Sequence, residues 1–336
     1  MADDIGLDLG TATILIYGDG KILLEEPSVV AVNTYTGQVL AVGSEAYDMI
    51  GKTPDRIRAV RPLADGVISD YEMTQQMIRY FLKKVSENNF FKPRVAVCVP
   101  SGITNVESRA VVEAAVTAGA RKVFLIEEPV ASAIGLGLDI SQPNGQLIID
   151  IGGGTTDVAV LSLYGVVTRA SIKVAGNRFD EAVSRILRTK FGLLVGDKMA
   201  EKVKMELGTV TSREEGATFV VKGRNILNGL PGKREVSWKD FVEPLTEYAV
   251  QIYQVIQSVL ERTPPELVGD ILVNGALMTG GGAMLHGLGP WLSERLHIQV
   301  NLAEKPVECV AIGTGKSFAY LDKLHDGFVE TSSYLQ

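Results

Sequence analysis

One short turn motif occurs at two distant places in the chain, and this repeat constrains the fold most. Asp8-Leu9-Gly10-Thr11 recurs as Asp150-Ile151-Gly152-Gly153-Gly154-Thr155. Each copy stands between two apolar runs typical of β-strands, so each is predicted to be the turn of a β-hairpin. A motif repeated after about one domain length predicts two similar domains, with a ligand in the cleft between them.

The composition agrees with this organisation. The chain has 336 residues, of which 46% are hydrophobic, enough to bury two cores. Its net charge of -7 argues against nucleic acid as the main partner. Cys98 and Cys309 lie in separate apolar runs and are predicted to be reduced core thiols. Because no apolar run is long enough to span a bilayer and the N-terminus is acidic, we expect a cytoplasmic protein without a signal peptide.

Hydrophobic periodicity predicts an α/β fold. The first half reads as an antiparallel meander followed by alternating helices and strands, and the second half begins in the same way. The predicted strands are 5–9, 12–17, 21–24, 28–33, 38–42, 94–99, 122–126, 146–151, 155–163, 166–174 and 270–273. The predicted helices begin near 69, 104, 130, 178, 198 and 244. Thr104 and Glu107 have the spacing of a capping box.

The repeated turns have the composition of a phosphate site. Their glycines, Gly10 and Gly152 to Gly154, let backbone N–H groups converge on an anion. Hydroxyl donors accompany them at Thr11, Thr13, Thr155 and Thr156. Two ordinary β-turns are the alternative interpretation, since Asp and Gly are common in turns.

An aspartate precedes each turn, at Asp8 and Asp150. A carboxylate beside a phosphate needs a cation between them. We therefore predict that both aspartates associate with Mg²⁺ through water molecules, because Mg²⁺ keeps much of its hydration shell.

A third glycine cluster, Gly280-Gly281-Gly282-Ala283, follows the predicted strand 270–273 and precedes a helical stretch. A strand, glycine turn and helix in this order can hold the nucleoside end of a nucleotide. Tight packing of the backbone is the alternative role.

These motifs resemble, in order, the phosphate, adenosine and connecting motifs of the actin, Hsp70 and sugar-kinase superfamily. The stretches that carry this resemblance are 5–12, 150–157, 279–282 and 311–315. Within the superfamily the chain is most similar to the MreB family, the bacterial actins that guide rod-shaped cell-wall growth. The stretches of closer similarity are 26–32, 61–68, 126–130 and 261–267.

The resemblance implies ATP and Mg²⁺ as cofactors and assigns residues to them. Glu128 would orient the water that attacks the γ-phosphate, helped by Thr155, whereas a charged turn before Pro129 is the alternative for Glu128. Glu201 and Lys204 would contact the ribose and the adenine; without the resemblance they would be an exposed ion pair. The complete nucleotide set implied is Gly10, Thr11, Ala12, Thr13, Gly152, Gly153, Gly154, Thr155, Thr156, Glu201, Lys204, Gly280, Gly281, Gly282 and Ala283.

Two departures from the family pattern lie near this nucleotide. Gly176-Asn177-Arg178 stands where the family usually has Gly-Gly-Asp, and Val273-Asn274-Gly275 stands where it usually has Asp-Arg-Gly. They leave the nucleotide preference open, with GTP as the alternative to ATP.

The resemblance implies a duplicated actin-like fold of two domains, each with a mixed sheet, flanking helices and a smaller inserted subdomain. Domain I would comprise residues 1–140 and 311–336, with an insertion at about 29–70. Domain II would comprise 141–310, with an insertion at about 179–237. The nucleotide would lie in the central cleft.

The expected function is a slow ATPase that polymerises into cytoskeletal filaments on the inner face of the cell membrane. Its expected partners are other copies of itself, the membrane and the cell-wall elongation machinery. A small-molecule kinase and an Hsp70-like chaperone are the alternatives. The first would need a substrate pocket with its own general base, and the second a linker and a substrate domain.

Phe90 and Phe91 are predicted to contact the membrane. They follow Asn88-Asn89 in a short connection where two adjacent aromatic rings are hard to bury together. MreB proteins, which this chain resembles, carry an apolar loop in the first domain that inserts into the membrane. The alternative is that one of the rings covers the core beneath the preceding helix. The three histidines are scattered and predict no zinc site.

Overall fold

The structure is a computed structural model that describes residues 4–86, 92–324 and, for the backbone, 328–330. The strands are β1 (Asp4–Leu9), β2 (Thr13–Gly18), β3 (Lys21–Pro27), β4 (Val30–Asn33), β5 (Val39–Val42), β6 (Ile57–Val60), β7 (Leu63–Ala64), β8 (Val67–Ile68), β9 (Arg94–Val99), β10 (Lys122–Glu127), β11 (Gln146–Ile151), β12 (Thr156–Ser162), β13 (Gly165–Ile172), β14 (Leu193–Leu194), β15 (Thr218–Asn225), β16 (Pro231–Ser237), β17 (Ala276–Thr279), β18 (Val300–Leu302) and β19 (Phe328–Glu330). The helices are α1 (Ser44–Met49), α2 (Tyr71–Ser86), α3 (Asn105–Ala118), α4 (Glu128–Leu136), α5 (Gly176–Thr189), α6 (Asp197–Leu207), α7 (Val242–Arg262), α8 (Pro265–Asn274), α9 (Leu288–Leu296) and α10 (Cys309–Lys316).

The two largest sheets share one strand arrangement. The first has the order β19-β10-β9-β1-β2-β3 and the second the order β18-β17-β11-β12-β13. In both, three consecutive strands form an antiparallel meander, and two later strands run parallel to the first of them. The repeated motif lies at the same place in each sheet, between the first and second strands. The predicted duplicated α/β fold is therefore confirmed.

Helices cover each sheet with an apolar face. In the first half, Phe81 of α2 and Val112 of α3 belong to the same buried cluster as the strands β1 and β9. In the second half, α7 packs on β12 and β13. Its buried positions Leu245, Ile252 and Ile256 recur at the spacing of one helical face. Each half thus has its own core. In each sheet a repeated turn lies at one end of the strands.

Helices α4 and α10 cross in backbone contact between the two halves. A Cβ atom on Gly135 would lie 1.9 Å from the carbonyl oxygen of Cys309, and one on Gly313 would lie 1.7 Å from that of Ala131. Only glycine allows this approach. Around the crossing, residues of both sheets form a shared buried cluster that includes Ile148. The crossing therefore lies where the two halves meet.

The strands predicted at 28–33 and 38–42 do not continue the meander, which corrects that prediction. β4 pairs with β5 and β6 in a separate three-stranded sheet, over which Ala46 of α1 is buried. Pro27 has no N–H to extend the ladder of the large sheet, and the N–H of Ser28 donates to the carbonyl of Ala12 at 3.0 Å. The chain therefore leaves the sheet at this point.

The strand predicted at 270–273 is wrong. These residues form the end of α8, and the strand before the third glycine cluster is β17. A short apolar run does not distinguish a strand from a buried helix turn. Pro264 and Pro265 carried the missing signal, since Pro265 is the first residue of α8, where proline is favoured.

The hairpin β15–β16 was not predicted from the sequence. It forms a three-stranded sheet with β14. Only Val221 and Val236 of these two strands are buried and many of the other residues are charged, so the apolar alternation of a half-buried strand is weak here. By contrast, the capping box of Thr104 and Glu107 is confirmed at the start of α3. Phe90 and Phe91 lie outside the described residues.

Candidate functional site

The two repeated turns face each other across a cavity of about 390 Å³ between the halves. A Cβ atom on Gly153 would lie 3.0 Å from the Cβ of Ala12, and one on Gly154 would lie 2.6 Å from Oγ1 of Thr11. The turns therefore contact each other directly. A side chain at either glycine would separate them.

Most of the predicted nucleotide, metal and catalytic residues come together around this cavity. Those that line it are Asp8, Gly10, Thr11, Ala12, Thr13, Glu128, Asp150, Gly152, Gly153, Gly154, Thr155, Glu201, Lys204, Gly280, Gly281 and Gly282. Thr156 and Ala283 do not. The hydroxyl of Thr156 donates instead to the carbonyl of Val174 at 2.6 Å, and Ala283 is 2% exposed within the second core. Both are next to lining residues in the chain but point into the protein.

Asp8 and Asp150 lie at the ends of β1 and β11, beneath the two turns. Burial, together with the nearby charge of Asp150, raises the pKa of Asp8 to about 8. Burial also raises the pKa of Asp150 to about 7, although hydrogen bonds from Thr279 and Ser132 oppose the shift. A cation between the two carboxylates would offset the cost of burying their charges.

The residues fit a hydrated divalent cation better than a directly coordinated one. Among residues 4–86 and 92–324, no group of three Asp, Glu, His or Cys side chains is arranged to hold a metal ion. Asp8 and Asp150 nevertheless face the same cavity from opposite halves. A cation between them would be held through water, which matches the chemistry of Mg²⁺.

Glu128 reaches the cavity from the first turn of α4. Burial raises its pKa well above the usual range, and the charges of Asp157, Asp150 and Asp8 add to this shift. Its side chain shares a hydrogen bond with Asp157, whose pKa burial also raises. The adjacent Glu127 instead forms an ion pair with Arg169 at 2.8 Å. The two neighbouring glutamates thus have different surroundings, and only Glu128 is among the cavity-lining residues.

Asp157 is a buried carboxylate that was not predicted as a site residue. Its Oδ1 accepts a 2.7 Å hydrogen bond from the backbone N–H of Ser101, which belongs to the first half. The hairpin could have revealed it, since Asp157 lies directly opposite Asp150 across β11 and β12 and paired side chains share a face. Asp157 therefore contacts Glu128, and through the N–H of Ser101 it also links the two halves.

The third glycine cluster lies against the second turn. A Cβ atom on Gly280 would come within 2.3 Å of the carbonyl oxygen of Ile151, and Gly280 has a φ of +85°, which also favours glycine. A Cβ on Gly282 would lie 2.7 Å from the carbonyl oxygen of Gly152. The cluster thus packs tightly against β11 and also lines the cavity, so both interpretations of it apply.

Glu201 and Lys204 line the cavity from α6, and each has a partner other than its neighbour. Nζ of Lys204 lies 3.0 Å from Asp180, whose pKa burial raises to about 6 against the effect of Lys204. Oε2 of Glu201 accepts a 2.9 Å hydrogen bond from the hydroxyl of Tyr47 in the first half. The simple ion pair between Glu201 and Lys204 is therefore not formed.

Further lining residues were not predicted as site residues. They are Leu9, Leu15, Arg61, Gly66, Gly176, Asn177, Asp180, Met205, Met284, Val307 and Val310. Asn177 and Asp180 lie within or beside the first departure from the family pattern. Arg61 and Gly66 come from the segment around β7 and β8, and only the fold brings this segment over the cavity. There, the N–H of Gly66 donates to Oγ1 of Thr11 at 3.1 Å.

A membrane-spanning helix is not found in the described parts of the chain, since none of the helices there is both long and apolar enough.

Comparison with known proteins gives related chains over almost the full length. A family model described as MreB/Mbl protein matches residues 2–326. The cell shape-determining protein Mbl of Bacillus cereus is 48% identical over 325 residues, 96% of this chain and 98% of the relative. The cell shape-determining protein MreB of Escherichia coli is 45% identical over 333 residues, 97% of this chain and 96% of the relative.

Solved structures agree with the fold. MreB5 of Spiroplasma citri bound to ADP has a TM-score of 0.90 at 37% identity, covering 95% of this chain and 97% of that one. The MamK double helical filament has a TM-score of 0.81 at 22% identity, covering 94% and 98%, and shows the shared actin-like fold alone. With the family model and the full-length relatives, these matches confirm the resemblance: the chain belongs to the MreB/Mbl family.

Proposed function

We propose that this protein is an actin-like ATPase that polymerises into cytoskeletal filaments at the inner face of the membrane and guides rod-shaped cell-wall growth. One observation carries the proposal. Two glycine turns with aspartates beneath them meet across a cavity between two similar halves. The relatives' names, which describe cell shape-determining proteins, support the cytoskeletal part.

The nucleotide would lie with its phosphates between the two turns. Backbone N–H groups of Gly10 to Thr13 and Gly152 to Thr156 would bind the phosphate oxygens. Glu201, Lys204 and the cluster Gly280 to Gly282 would hold the nucleoside. MreB5 of Spiroplasma citri has been solved with ADP and with AMPPNP, which supports an adenine nucleotide here. We propose ATP, with GTP as the alternative.

Asp8 and Asp150 would hold hydrated Mg²⁺ from opposite sides. The bound ion would neutralise charge on the phosphates during phosphoryl transfer. Because their pKa values are about 8 and about 7, both carboxyls would give up protons when the cation binds. The same positive charge would lower the pKa of Glu128.

Glu128 would then act on the attacking water. Phosphoryl transfer needs little covalent help from the protein beyond positioning and charge compensation. Once ionised, Glu128 can accept a hydrogen bond from water and orient it, with Thr155 beside the same position. Asp157 and the N–H of Ser101 keep the Glu128 side chain in place.

We propose that the chain is divided into two domains. Residues 1–140 and 311–336 would move as domain I and residues 141–310 as domain II, about the crossing of α4 and α10. The insertions 29–70 and 179–237 would form the two sides of the cleft mouth. A γ-phosphate that contacts both turns would change the angle between the domains and thereby the contacts between subunits.

A sedimentation assay tests the proposal. With Mg²⁺ and ATP the protein should pellet as filaments and release phosphate, and with EDTA or without nucleotide it should remain in the supernatant. A small-molecule kinase would stay unpelleted and consume ATP only with an added acceptor. A chaperone ATPase would stay unpelleted and respond to unfolded peptide. Either of these two patterns would contradict the proposal.

A further inference from the structure

The cavity between the halves carries more acidic than basic side chains. Among the described residues, the basic ones that line it are Arg61 and Lys204. The acidic ones are Asp8, Glu128, Asp150, Asp180 and Glu201. A nucleotide brings further negative charge into this cavity, so each basic side chain there matters for binding it.

The two basic side chains differ in whether they already have a partner. Nζ of Lys204 lies 3.0 Å from Oδ1 of Asp180 and donates to its Oδ2 at 3.1 Å. Arg61 is half-buried, and within residues 4–86 and 92–324 its guanidinium group has no hydrogen bond or ion pair. Arginine presents its N–H donors in a planar fork that matches a phosphate group. The guanidinium group of Arg61 is therefore available to an anionic ligand in the cavity.

The backbone at Arg61 is fixed by its neighbours. Arg61 follows β6 directly and precedes Pro62, which restricts Arg61 to extended conformations. The carbonyl of Pro62 accepts hydrogen bonds from the N–H groups of Ser69 at 2.9 Å and Asp70 at 3.1 Å. It also accepts from the hydroxyl of Thr74 at 3.3 Å. Because the fold positions this segment before a ligand arrives, binding to Arg61 orders little more than its side chain.

The guanidinium group lies at the nucleoside end of the cavity. Cζ of Arg61 is 5.8 Å from the ring centre of Tyr47, whose hydroxyl donates to Glu201. Burial raises the pKa of Asp180 to about 6, although the charges of Lys204 and Arg61 oppose the shift. Glu201 and Lys204 of the second half are the residues proposed to hold the nucleoside. Arg61 thus approaches the same end of the cavity from the first half.

The anionic group of a nucleotide that lies nearest to its ribose is the α-phosphate. In the proposed orientation the later phosphates lie between the glycine turns, whose N–H groups bind their oxygens. At the nucleoside end, the carboxylates of Asp180 and Glu201 would repel the α-phosphate. A positive charge from Arg61 would offset this repulsion.

We propose that Arg61 binds the α-phosphate of the nucleotide across the cleft. The contact joins the first half to a part of the ligand that the second half otherwise holds, so it favours a closed cleft. ADP and ATP share this phosphate, and the contact therefore strengthens the binding of both and does not distinguish them. This inference rests on the proposed function, because it needs a nucleotide in this cavity.

Phosphorothioate nucleotides test the contact directly. The two diastereomers of ADPαS carry sulfur, a weaker hydrogen-bond acceptor, in place of one or the other non-bridging oxygen of the α-phosphate. With Mg²⁺, the wild type should bind one diastereomer more weakly than the other. In Arg61→Gln the ratio of the two affinities should fall towards one. Displacement of a fluorescent ADP analogue measures each affinity.

The same assay measures the loss for the unmodified nucleotides. Arg61→Gln should bind ADP and ATP about tenfold more weakly and by the same factor, since a hydrogen bond to a charged group is lost. Arg61→Lys keeps the charge without the planar fork and should recover part of this affinity, but not the diastereomer ratio. It also carries the test if Arg61→Gln does not fold.

Arg58→Gln is the matched control. Arg58 is exposed on β6 and is not among the cavity-lining residues, so this variant removes the same charge from the same segment. It should keep the wild-type affinities and the wild-type diastereomer ratio. Circular dichroism and urea unfolding check that each variant is folded.

The outcomes separate this contact from the proposed function. If the wild type binds nucleotide and both Arg61 variants keep its affinities and its diastereomer ratio, the contact is wrong and the proposed function stands. A loss for ATP alone would place Arg61 at the γ-phosphate and would also overturn the contact. If the wild type binds neither ADP nor ATP, the proposed function fails, and this contact fails with it.

Discussion

The hydroxyl of Tyr47 donates a 2.9 Å hydrogen bond to Oε2 of Glu201, joining the two sides of the cleft over the cavity. Tyr47 belongs to α1 beside the small sheet of the first half, and Glu201 belongs to α6 of the second half. Nζ of Lys198 lies 3.9 Å from the centre of the Tyr47 ring and donates to the carbonyl of the same residue at 3.0 Å. Closure of the cleft is therefore coupled to a residue that also faces the proposed nucleotide.

This hydrogen bond predicts faster nucleotide release in Tyr47→Phe, which removes only the hydroxyl. A hydrogen bond of this kind contributes about 1 kcal/mol, so we expect dissociation to be about fivefold faster. The measurement is the displacement of a fluorescent ADP analogue by excess ATP in a stopped-flow instrument. Tyr35→Phe is the control, because Tyr35 is 77% exposed and its side chain should not matter. Equal rates in all three proteins would exclude a role of the hydroxyl in closure.

The raised pKa values of Asp8 and Asp150 predict a stability that falls with pH in the absence of Mg²⁺. Both carboxyls ionise near pH 3.8 in the unfolded chain but at about 8 and about 7 in the folded protein. Between these values the folded state binds more protons, so the free energy of unfolding decreases as pH rises. One pKa unit corresponds to about 1.4 kcal/mol, so the loss should reach a few kcal/mol.

Urea unfolding between about pH 5 and about pH 8.5, with and without Mg²⁺, measures this effect. Mg²⁺ with nucleotide should restore more stability at the higher pH, since both carboxyls must lose their protons to meet the cation. Asp150→Asn, which removes one titrating group, should show a weaker pH dependence and weaker Mg²⁺-dependent ATP binding. A stability that rises over this pH range in the Mg²⁺-free wild type would refute the assignment.

Glu128 is expected to act in hydrolysis and not in binding. Glu128→Ala should still bind ATP and polymerise, yet release phosphate at least about tenfold more slowly, equal to about 1.4 kcal/mol on the barrier. Its pairing with Asp157 gives a second variant, Glu128→Gln, which keeps the shape and one hydrogen bond but cannot ionise. Phosphate release from assembled protein, followed with a coupled optical assay, should be slow in both variants. A normal rate in either one would remove Glu128 from the mechanism.

The crossing of α4 and α10 predicts that Gly313→Ala destabilises the protein. The added methyl group would lie 1.7 Å from the carbonyl oxygen of Ala131, so the two helices must separate. Overpacking of this kind costs about 2–3 kcal/mol. Gly269→Ala, at the exposed position in α8, should instead stabilise by about 0.5–1 kcal/mol. Thermal unfolding of both variants checks the pair, and similar melting temperatures would contradict the crossing geometry.

The sequence was most informative where the physical signal is local. Hairpin turns with glycine, and aspartates directly before them, follow from neighbouring residues, and the fold places Asp8, Asp150 and both turns around one cavity as predicted. Because the motif occurs twice, it also predicted the duplicated fold. Thr104 and Glu107 are a second local case, since both halves of a capping box lie within one helical turn.

The remaining features depend on contacts between distant segments. Tyr47 and Glu201 meet only because the fold brings α1 next to α6, and nothing near Tyr47 in the sequence indicates this. Asp157 becomes a partner of Glu128 through the packing of α4 against β12. Residues 270–273 were mistaken for a strand because a short apolar run fits both structures, and the pairing of β17 with β11 was needed to decide.

The last prediction concerns Phe90 and Phe91, which we expect to contact the membrane. Each aromatic ring buried in the bilayer contributes about 1.5–3 kcal/mol, and Lys92 and Arg94 nearby could add about 1 kcal/mol each against anionic lipid. Arg94 already pairs with Asp4 at 2.6 Å, which reduces its share. One subunit would bind weakly, but many loops along a filament would bind by avidity. Polymerised wild type should therefore float with anionic liposomes, whereas Phe90→Ser/Phe91→Ser should remain at the bottom of the gradient. If the double variant folds, assembles and floats equally well, the rings belong to the core beneath α2.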